Sequence, residues 1–416
     1  MVKKEGLWVK RLYDGTGAAP QDNVIVLLDG QFIEAIYPAA AAPELVKQGV
    51  EIRDYSDKIM TPGLIDVHTH LMMEGSGKLA EYTLAENTIG EVQLLGLQNA
   101  LKALRAGVTT LRDNGTVAGV SRNVKNFINK GHILGPDIVI CGAAVTSTGG
   151  HCHYMGGEAD GVDGIRKLIR RQQKEGIDFV KLMATAGGTL GIARGNTFQP
   201  DEYQAAVEEA HRLGLKIDMH VCSYEGVQTV IDTGLDGMEH CMFQPFDSPD
   251  VIFDGALADK LAAKKIMLCH TLSALGATLV WLDNKPKETW TAFDHSEYKR
   301  ISHNQENLYQ TIKFHYDHGC LLVAGSDSGW KNCDFSIGLP LALKLMAQSG
   351  IPNKEILISA TSRPAAYLGL DDRLGTVRAG LQADLVLVDR DPMEDITTFQ
   401  KVAAVYKKGQ LVGQLL

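Results

Sequence analysis

The sequence predicts an α/β protein, a (β/α)8 TIM barrel with a discontinuous β-sandwich domain contributed by both chain ends. Two observations support this prediction. Short apolar segments alternate with helical stretches through the middle of the chain, and several of these segments end in a polar residue. The two chain ends instead carry strand-like segments and turns. In such a barrel, functional residues from different strands converge at the carboxyl ends of the strands.

The length of 416 residues is sufficient for one barrel and a smaller appended domain. We expect a first part of the sandwich in residues 1–60, the barrel in 61–368 and the second part of the sandwich in 369–416. The first part contains apolar segments in residues 24–36 that are joined by Asp29-Gly30, a hairpin signal. Helices are predicted over residues 201–213 and 353–366.

The net charge of −9 and the absence of a basic, aromatic-rich stripe argue against a nucleic-acid partner. The amino terminus has no apolar signal region, and no segment has the apolar length of a membrane span. Seven cysteines without close pairing are typical of free thiols in a reducing compartment. We therefore expect a cytoplasmic protein that does not associate with membranes.

The first barrel strand lies in residues 61–71 and ends in two histidines, His68 and His70. Side chains two positions apart on a strand point the same way, so both imidazoles can face one centre. Imidazole is a common ligand of zinc and similar metals. The alternative is a pair of hydrogen-bonded histidines without a metal, and it is weakened by the ligand-type residues that follow.

Four further polar residues lie in or at the ends of later apolar segments: Lys181, His220, His240 and Asp327. Lysine is costly within a buried strand unless it is paired or chemically changed. Together with His68 and His70, these residues would give six ligands from five strand ends, which predicts a metal centre.

Three further motifs carry a resemblance to a known family: Thr-Gly-Gly-His at 148–151, Lys-Leu-Met-Ala-Thr-Ala-Gly-Gly at 181–188 and His-Val-Cys-Ser-Tyr at 220–224. With the strand-end ligands and the segment at 380–389, they make the chain resemble the amidohydrolase superfamily over nearly its whole length. Within it, the chain is similar to the imidazolonepropionase-related branch. It is most similar to the metal-dependent Xaa-Pro dipeptidases, or prolidases, which release a carboxy-terminal residue.

The resemblance implies two divalent metal ions, with zinc favoured and manganese, cobalt and iron tolerated by the same ligands. Lys181 would be carbamylated by carbon dioxide and would bridge both metals. The first metal would also be bound by His68, His70 and Asp327, and the second by His220 and His240. A metal-bridging hydroxide would attack the amide carbonyl. Asp327 would shuttle the proton to the leaving nitrogen.

Substrate-binding residues are expected in the loops after the strands. By resemblance, His151 would help to hold the substrate, and Arg194 could meet a carboxylate. A third metal site from His151, Cys152 and His153 is an alternative that requires an extended loop. Tyr224 could donate to the scissile carbonyl and stabilise the developing oxyanion, or it could be a packing tyrosine at the rim.

These residues predict a binuclear metal-dependent amide hydrolase acting on a small molecule, with a dipeptidase of the Xaa-Pro type as the first choice. Alternatives are hydrolysis of a cyclic amide or an N-acyl amino acid, a mononuclear deaminase, and a silent metal-binding protein. Lys181 argues against the deaminase, because a one-metal site does not need a bridging carbamate. The resemblance also implies a homo-oligomer.

Two expectations concern other histidines. His270 ends the presumed seventh strand and is expected to line the pocket. His295, His303, His315 and His318 lie in polar helical stretches and are expected to face solvent or cap helices.

Overall fold

The computed structural model describes residues 4–188 and 195–413. The chain begins with four strands: β1 (Glu5–Leu12), β2 (Gln21–Asp29), β3 (Phe32–Pro38) and β4 (Glu51–Pro62). Strands β2 and β3 pair antiparallel around the predicted Asp29-Gly30 turn, where Gly30 adopts a φ of 59°. Glycine suits this turn because it reaches positive φ without a steric penalty.

Eight short parallel strands follow, separated by helices. They are β5 (Leu64–Thr69), β6 (Val108–Asp113), β7 (Asp137–Ile140), β8 (Phe179–Met183), β9 (Lys216–His220), β10 (Gly237–Glu239), β11 (Met267–Cys269) and β12 (Leu321–Leu322). β5 to β7 form a three-stranded sheet and β8 to β12 a five-stranded sheet. The predicted α/β class with parallel strands is confirmed.

Backbone hydrogen bonds join the margins of these two sheets. After β7, the Val145 N–H donates to the Lys181 carbonyl at 2.8 Å. After β12, the Asp327 N–H donates to the His68 carbonyl at 2.8 Å. The segments that follow β7 and β12 therefore lie directly beside β8 and β5.

The chain ends with β13 (Leu385–Val388), β14 (Ala404–Lys407) and β15 (Gln410–Leu411). Together with the amino-terminal strands they form one seven-stranded sheet in the order β15-β14-β13-β4-β1-β2-β3. β13 pairs antiparallel with β4. The two ends of the chain therefore share one sheet.

Thirteen α-helices are described: α1 (Ala42–Lys47), α2 (Ala80–Glu86), α3 (Ile89–Arg105), α4 (Val120–Asn129), α5 (Gly161–Lys174), α6 (Pro200–Arg212), α7 (Tyr224–Val230), α8 (Gly255–Ala263), α9 (Ser273–Asn284), α10 (Ala292–Asp317), α11 (Gly338–Gln348), α12 (Asn353–Ser359) and α13 (Ser362–Leu368). Helix α6 lies within one residue of its predicted bounds. It buries Tyr203, Ala206, Val207 and Ala210, the spacing of one helical face. Among the described residues, no helix combines the length and apolar character needed to cross a bilayer.

The single helix predicted over residues 353–366 is two helices, α12 and α13. Pro364 has no N–H to donate to the carbonyl of Ala360. That carbonyl instead accepts a hydrogen bond from the N–H of Ile65 in β5, at 2.8 Å. The break therefore fixes the end of α12 against the first parallel strand.

Candidate metal centre

A cavity of about 260 Å³ lies where the parallel strands end. Its lining includes all six residues predicted as ligands, namely His68, His70, Lys181, His220, His240 and Asp327. They lie in or shortly after five different parallel strands, which brings together residues that are far apart in the sequence.

The first group of possible ligands consists of His68, His70 and Asp327, which offer donor atoms within 4.8 Å of one another. The Asp327 Oδ1 lies 3.4 Å from the His70 Nε2 and 3.6 Å from the His68 Nε2. Burial raises the pKa of Asp327 to about 7. Two imidazoles and a carboxylate are a donor set that suits zinc and related cations.

The second group consists of His220, His240 and Cys222, whose donor atoms also lie within 4.8 Å of one another. The rings of His220 and His240 are 4.5 Å apart. The His240 Nδ1 lies 2.7 Å from the Thr271 hydroxyl. The His220 Nε2 is buried and has no hydrogen-bond partner among the described residues, so it is free to bind a cation.

Lys181 lines the same cavity from the middle of β8. Its side chain is buried, and its Nζ has no hydrogen-bond partner among the described residues. An ammonium group left in this state would be costly. The alternative of an ordinary lysine–carboxylate pair is not supported by this geometry.

Burial lowers the pKa of the histidines at this centre. The pKa of His70 falls to about 4, and those of His68, His220 and His240 fall well below the usual value. The imidazoles are therefore neutral near pH 7, the form that binds metals.

A buried ionic network lies behind the first group of ligands. Glu239 accepts a hydrogen bond from the Nδ1 of His68 at 2.7 Å, which leaves the Nε2 of His68 to face a cation. Arg112 donates to both Glu239 and Asp218, and its Nε donates to the Val67 carbonyl at 2.6 Å. No motif in the sequence predicts this network. Its only signal was a charged residue within each of three apolar strands.

Of the three residues predicted to bind substrate, one lines the cavity, one does not, and one lies outside the described residues. His151 lines the cavity, with its ring 4.5 Å from that of His220. Arg194 lies outside the described residues. Tyr224 begins α7 and donates to Asp254 at 2.8 Å, and it is not among the residues that line the cavity. This position favours the packing interpretation of Tyr224 over the oxyanion role.

The third metal site considered for residues 151–153 is not formed. Cys152 adopts a left-handed φ of 61°, and a short 3-10 helix begins at His153, so the loop is not extended. The His153 Nδ1 lies 3.2 Å from the Gly150 carbonyl. Within the described part of the chain, the groups with metal-binding geometry do not include these three residues.

The remainder of the cavity combines apolar and cationic side chains. Apolar lining comes from Met73, Met183, Met242, Leu275, Leu308 and Trp330. Arg300 and Lys331 also line it, and both contact Glu297, at 2.9 Å and 3.4 Å. The two cations and one carboxylate leave a local excess of one positive charge. Arg300 and Glu297 follow β11 and Lys331 follows β12, and no motif in the sequence predicts their place in the cavity.

His270 lines the cavity as expected, but the expectation for His315 is wrong. His315 is buried on α10, and its Nδ1 lies 2.8 Å from the Nε2 of His270. The polar residues around His315 in the sequence predict a side chain that faces solvent or caps a helix. The buried face of α10 passes through Leu308, Thr311, Ile312 and His315.

The sequence model of the amidohydrolase family matches residues 59–412, which is most of the chain. The chain belongs to the amidohydrolase family. Members of this metal-dependent family hydrolyse amide and peptide bonds, so the protein is a hydrolase of this class, and the clustered donors provide possible metal ligands.

This amidohydrolase is similar to the ochratoxinase of Aspergillus niger, with 25% identity over 94% of this chain and 83% of the relative. It is 23% identical to the imidazolonepropionase of Mesorhizobium japonicum, over 89% of this chain and 85% of that protein. Its fold is similar to the crystal structure of a Xaa-Pro dipeptidase with bound methionine in the active site. The TM-score is 0.82 and the identity 24%, covering 98% of this chain and 99% of the other.

Proposed function

We propose that this amidohydrolase is a binuclear metal-dependent dipeptidase, with Xaa-Pro or related dipeptides as substrates. The observation that carries the proposal is the buried amine of Lys181, which has no hydrogen-bond partner among the described residues and lines the same cavity as the two groups of metal-type donors. A neutral amine reacts with carbon dioxide to form a carbamate, whose two oxygens can bridge two cations. No such bridge is needed in a mononuclear deaminase.

In this proposal, His68, His70 and Asp327 hold the first cation, His220 and His240 hold the second, and the Lys181 carbamate binds both. Zinc suits these imidazole and carboxylate donors. When bound, a cation pair supplies a nucleophile by lowering the pKa of a shared water and also polarises the amide carbonyl.

Asp327 is the proposed proton carrier. Its carboxylate lies within 3.6 Å of both imidazoles of the first group, so it would lie beside a nucleophile formed at that cation. A general base must lie within hydrogen-bond reach of the proton that it takes. Asp327 would accept a proton from the attacking water and return it to the leaving nitrogen.

The cavity supports a substrate with a carboxylate and an apolar side chain. Arg300 and Lys331 provide the excess positive charge, and the methionines and Leu275 provide an apolar surface. His151, which also lines the cavity, would contact the substrate. A dipeptide has both a terminal carboxylate and a side chain, and a solved Xaa-Pro dipeptidase shares the fold.

A cyclic amide or an N-acyl amino acid is the second candidate. The similarity to an imidazolonepropionase supports it, and an N-acyl amino acid would also present a carboxylate to Arg300 and Lys331. For the scaffold, we propose that the eight parallel strands form a closed barrel and that the seven-stranded sheet belongs to a β-sandwich.

The proposal is tested with zinc-loaded enzyme and a dipeptide library, using Lys181→Ala in parallel. We expect turnover of Xaa-Pro dipeptides by the wild type and loss of at least about 1,000-fold in the variant, because one carbamate serves both metals. Carbon-13 NMR after addition of labelled bicarbonate gives a second readout. A carbamate signal should be present in the wild type and absent in Lys181→Ala.

Lys331→Ala is the matched control for the NMR measurement, because it removes a different lysine from the same cavity. The carbamate signal should persist in this control. If a fully metallated enzyme hydrolyses no dipeptide, the dipeptidase proposal is wrong, and cyclic amides and N-acyl amino acids become the next substrates. If the NMR signal is missing from the wild type, the carbamate bridge is wrong.

A further inference from the structure

Cys222 is distinct among the seven cysteines, all of which lie in the described residues. The other six are buried, whereas Cys222 is partly exposed, and of the cysteines only Cys152 and Cys222 line the described cavity of the metal centre.

The position of Cys222 follows from strand alternation. It lies two residues beyond His220, so an extended chain presents both side chains to the same side. The chain is held here because the Cys222 N–H donates to the Thr185 hydroxyl at 2.9 Å. The carbonyl of His220 accepts from the N–H of Ala184 at 3.1 Å.

The Cys222 sulfur and ring nitrogens of His220 and His240 lie within 4.8 Å of one another. The His220 Nε2 is buried in the same cavity lining and has no partner among the described residues. A sulfur and two imidazole nitrogens form a donor set typical of zinc. The clustering of the three donors is one observation that indicates a cation here, and the unpartnered Nε2 of His220 is a second.

We propose that Cys222 is a ligand of the second metal ion, in addition to His220, His240 and the carbamate. The inference rests on the proposed metal centre and adds a sulfur donor to it. The thiol would bind as the thiolate, releasing its proton to solvent, because a coordinated cation deprotonates a thiol. Thiolate favours zinc and cobalt over harder cations such as manganese at this position.

Cobalt(II) substitution tests the inference through a property that only a sulfur ligand supplies. Metal-free protein is titrated with cobalt in the presence of bicarbonate, and the number of bound ions is measured by elemental analysis. Visible ligand-field bands report cobalt at either position. A sulfur-to-cobalt charge-transfer band in the near ultraviolet reports a Co–S bond. We expect this band to grow with one of the two cobalt ions.

The variant Cys222→Ser should lose the near-ultraviolet band. It should also bind the second cobalt at least about tenfold more weakly, because even the loss of a residue that only hydrogen-bonds to a metal ligand reduces the affinity for the metal by about that factor. Cys152→Ser is the matched control, because Cys152 lines the same cavity but lies outside the group of His220 and His240. The band should persist in Cys152→Ser.

The wild-type spectrum decides the question even if Cys222→Ser does not fold. Two bound cobalt ions without a near-ultraviolet band would overturn the sulfur ligand and leave the binuclear centre intact. A band that persists unchanged in folded Cys222→Ser would also overturn it. If fewer than two cobalt ions bind, the binuclear centre fails, and the assignment of Cys222 fails with it.

Discussion

Two of the candidate ligands have unusual backbone conformations. His240 has a φ of 68° and Asp327 a φ of 62°, in the left-handed region that residues other than glycine rarely adopt. Each such residue costs about 1–3 kcal/mol and persists only when its surroundings fix it. The His240 N–H donates to the Cys269 carbonyl at 2.7 Å, and the Asp327 N–H to the His68 carbonyl. Strain at two ligand positions supports their functional role.

The buried pair of His270 and His315 makes stability dependent on pH. Burial lowers the pKa of His270 to about 3 and that of His315 well below the usual value of 6.5. The unfolded chain therefore binds protons at a higher pH than the folded chain. The neutral pair therefore makes its full contribution to the free energy of unfolding above pH 6.5. This contribution is lost as the pH falls from 6.5 towards the pKa values of the folded state.

We expect His315→Gln to reduce this dependence. The glutamine amide can still hydrogen-bond to His270, but one titrating group is gone. Below pH 6.5, the free energy of unfolding should fall less steeply in the variant, by up to about 1.4 kcal/mol per pH unit. Urea unfolding at several pH values measures the slopes. His303→Gln, at an exposed position, should keep the wild-type slope. Equal slopes in all three proteins would contradict this account.

Among the strands, β6 carries Arg112, whose buried ionic network both stabilises the fold and holds a residue that contacts the candidate ligand His68. This guanidinium lies 4.7 Å above the ring of Phe179 in β8 and donates to carboxylates of β9 and β10. Removing one partner from a buried ionic network leaves the others without compensation. The network also fixes His68 through Glu239.

Arg112→Leu should therefore lower the free energy of unfolding by about 3–5 kcal/mol. It should also weaken metal binding by about 10–100-fold, because Glu239 would no longer be held against His68. Chemical denaturation and zinc titration measure the two effects. Arg122→Leu is the control, since its contact with Glu175 at 3.7 Å is exposed and is worth at most about 1 kcal/mol. Similar losses in both variants would show that the buried network has no special role.

The sequence predicted the candidate ligands because each one interrupts or ends an apolar strand. His68, His70 and Lys181 could be recognised from local pattern alone, and parallel topology then brings the strand ends together. The Arg112 network could not be recognised, because three distant strands must pair before its charges meet. The break between α12 and α13 was missed for a similar reason. The carbonyl freed by Pro364 finds its partner in β5, far away in the sequence.

At the scale of the whole molecule, Lys407 joins the seven-stranded sheet to the parallel strands. Its buried Nζ donates to the Thr109 carbonyl in β6 at 2.9 Å. It also contacts Asp137 at the start of β7 at 3.0 Å and Asp384 at 2.7 Å. Burial alone would raise the pKa of Asp137, but Lys407 and then Lys408 hold it well below its usual range. The last strands of the chain are thereby fixed to the ends of β6 and β7 opposite the cavity.

Lys407→Met should destabilise both parts of the protein together, by about 3–5 kcal/mol, because the buried Asp384 loses its cation and the largely buried Asp137 keeps only Lys408. Hydrogen exchange should increase in β6 and in β13–β14 by the same factor. Lys408→Met is a matched control on the adjacent residue, whose contact with Asp137 is partly exposed and worth at most about 1 kcal/mol.

The effect of Lys407→Met should also depend on pH in a defined direction. The folded pKa of Asp137 is depressed, so its ion pair stabilises the fold above the unfolded value of 3.8 and loses this effect as the pH falls below it. The difference in unfolding free energy between wild type and variant should therefore narrow under acid conditions. Faster exchange in β13–β14 alone would show that the sheet opens independently. In that case, the parallel strands and the metal centre would not depend on the chain ends for their stability.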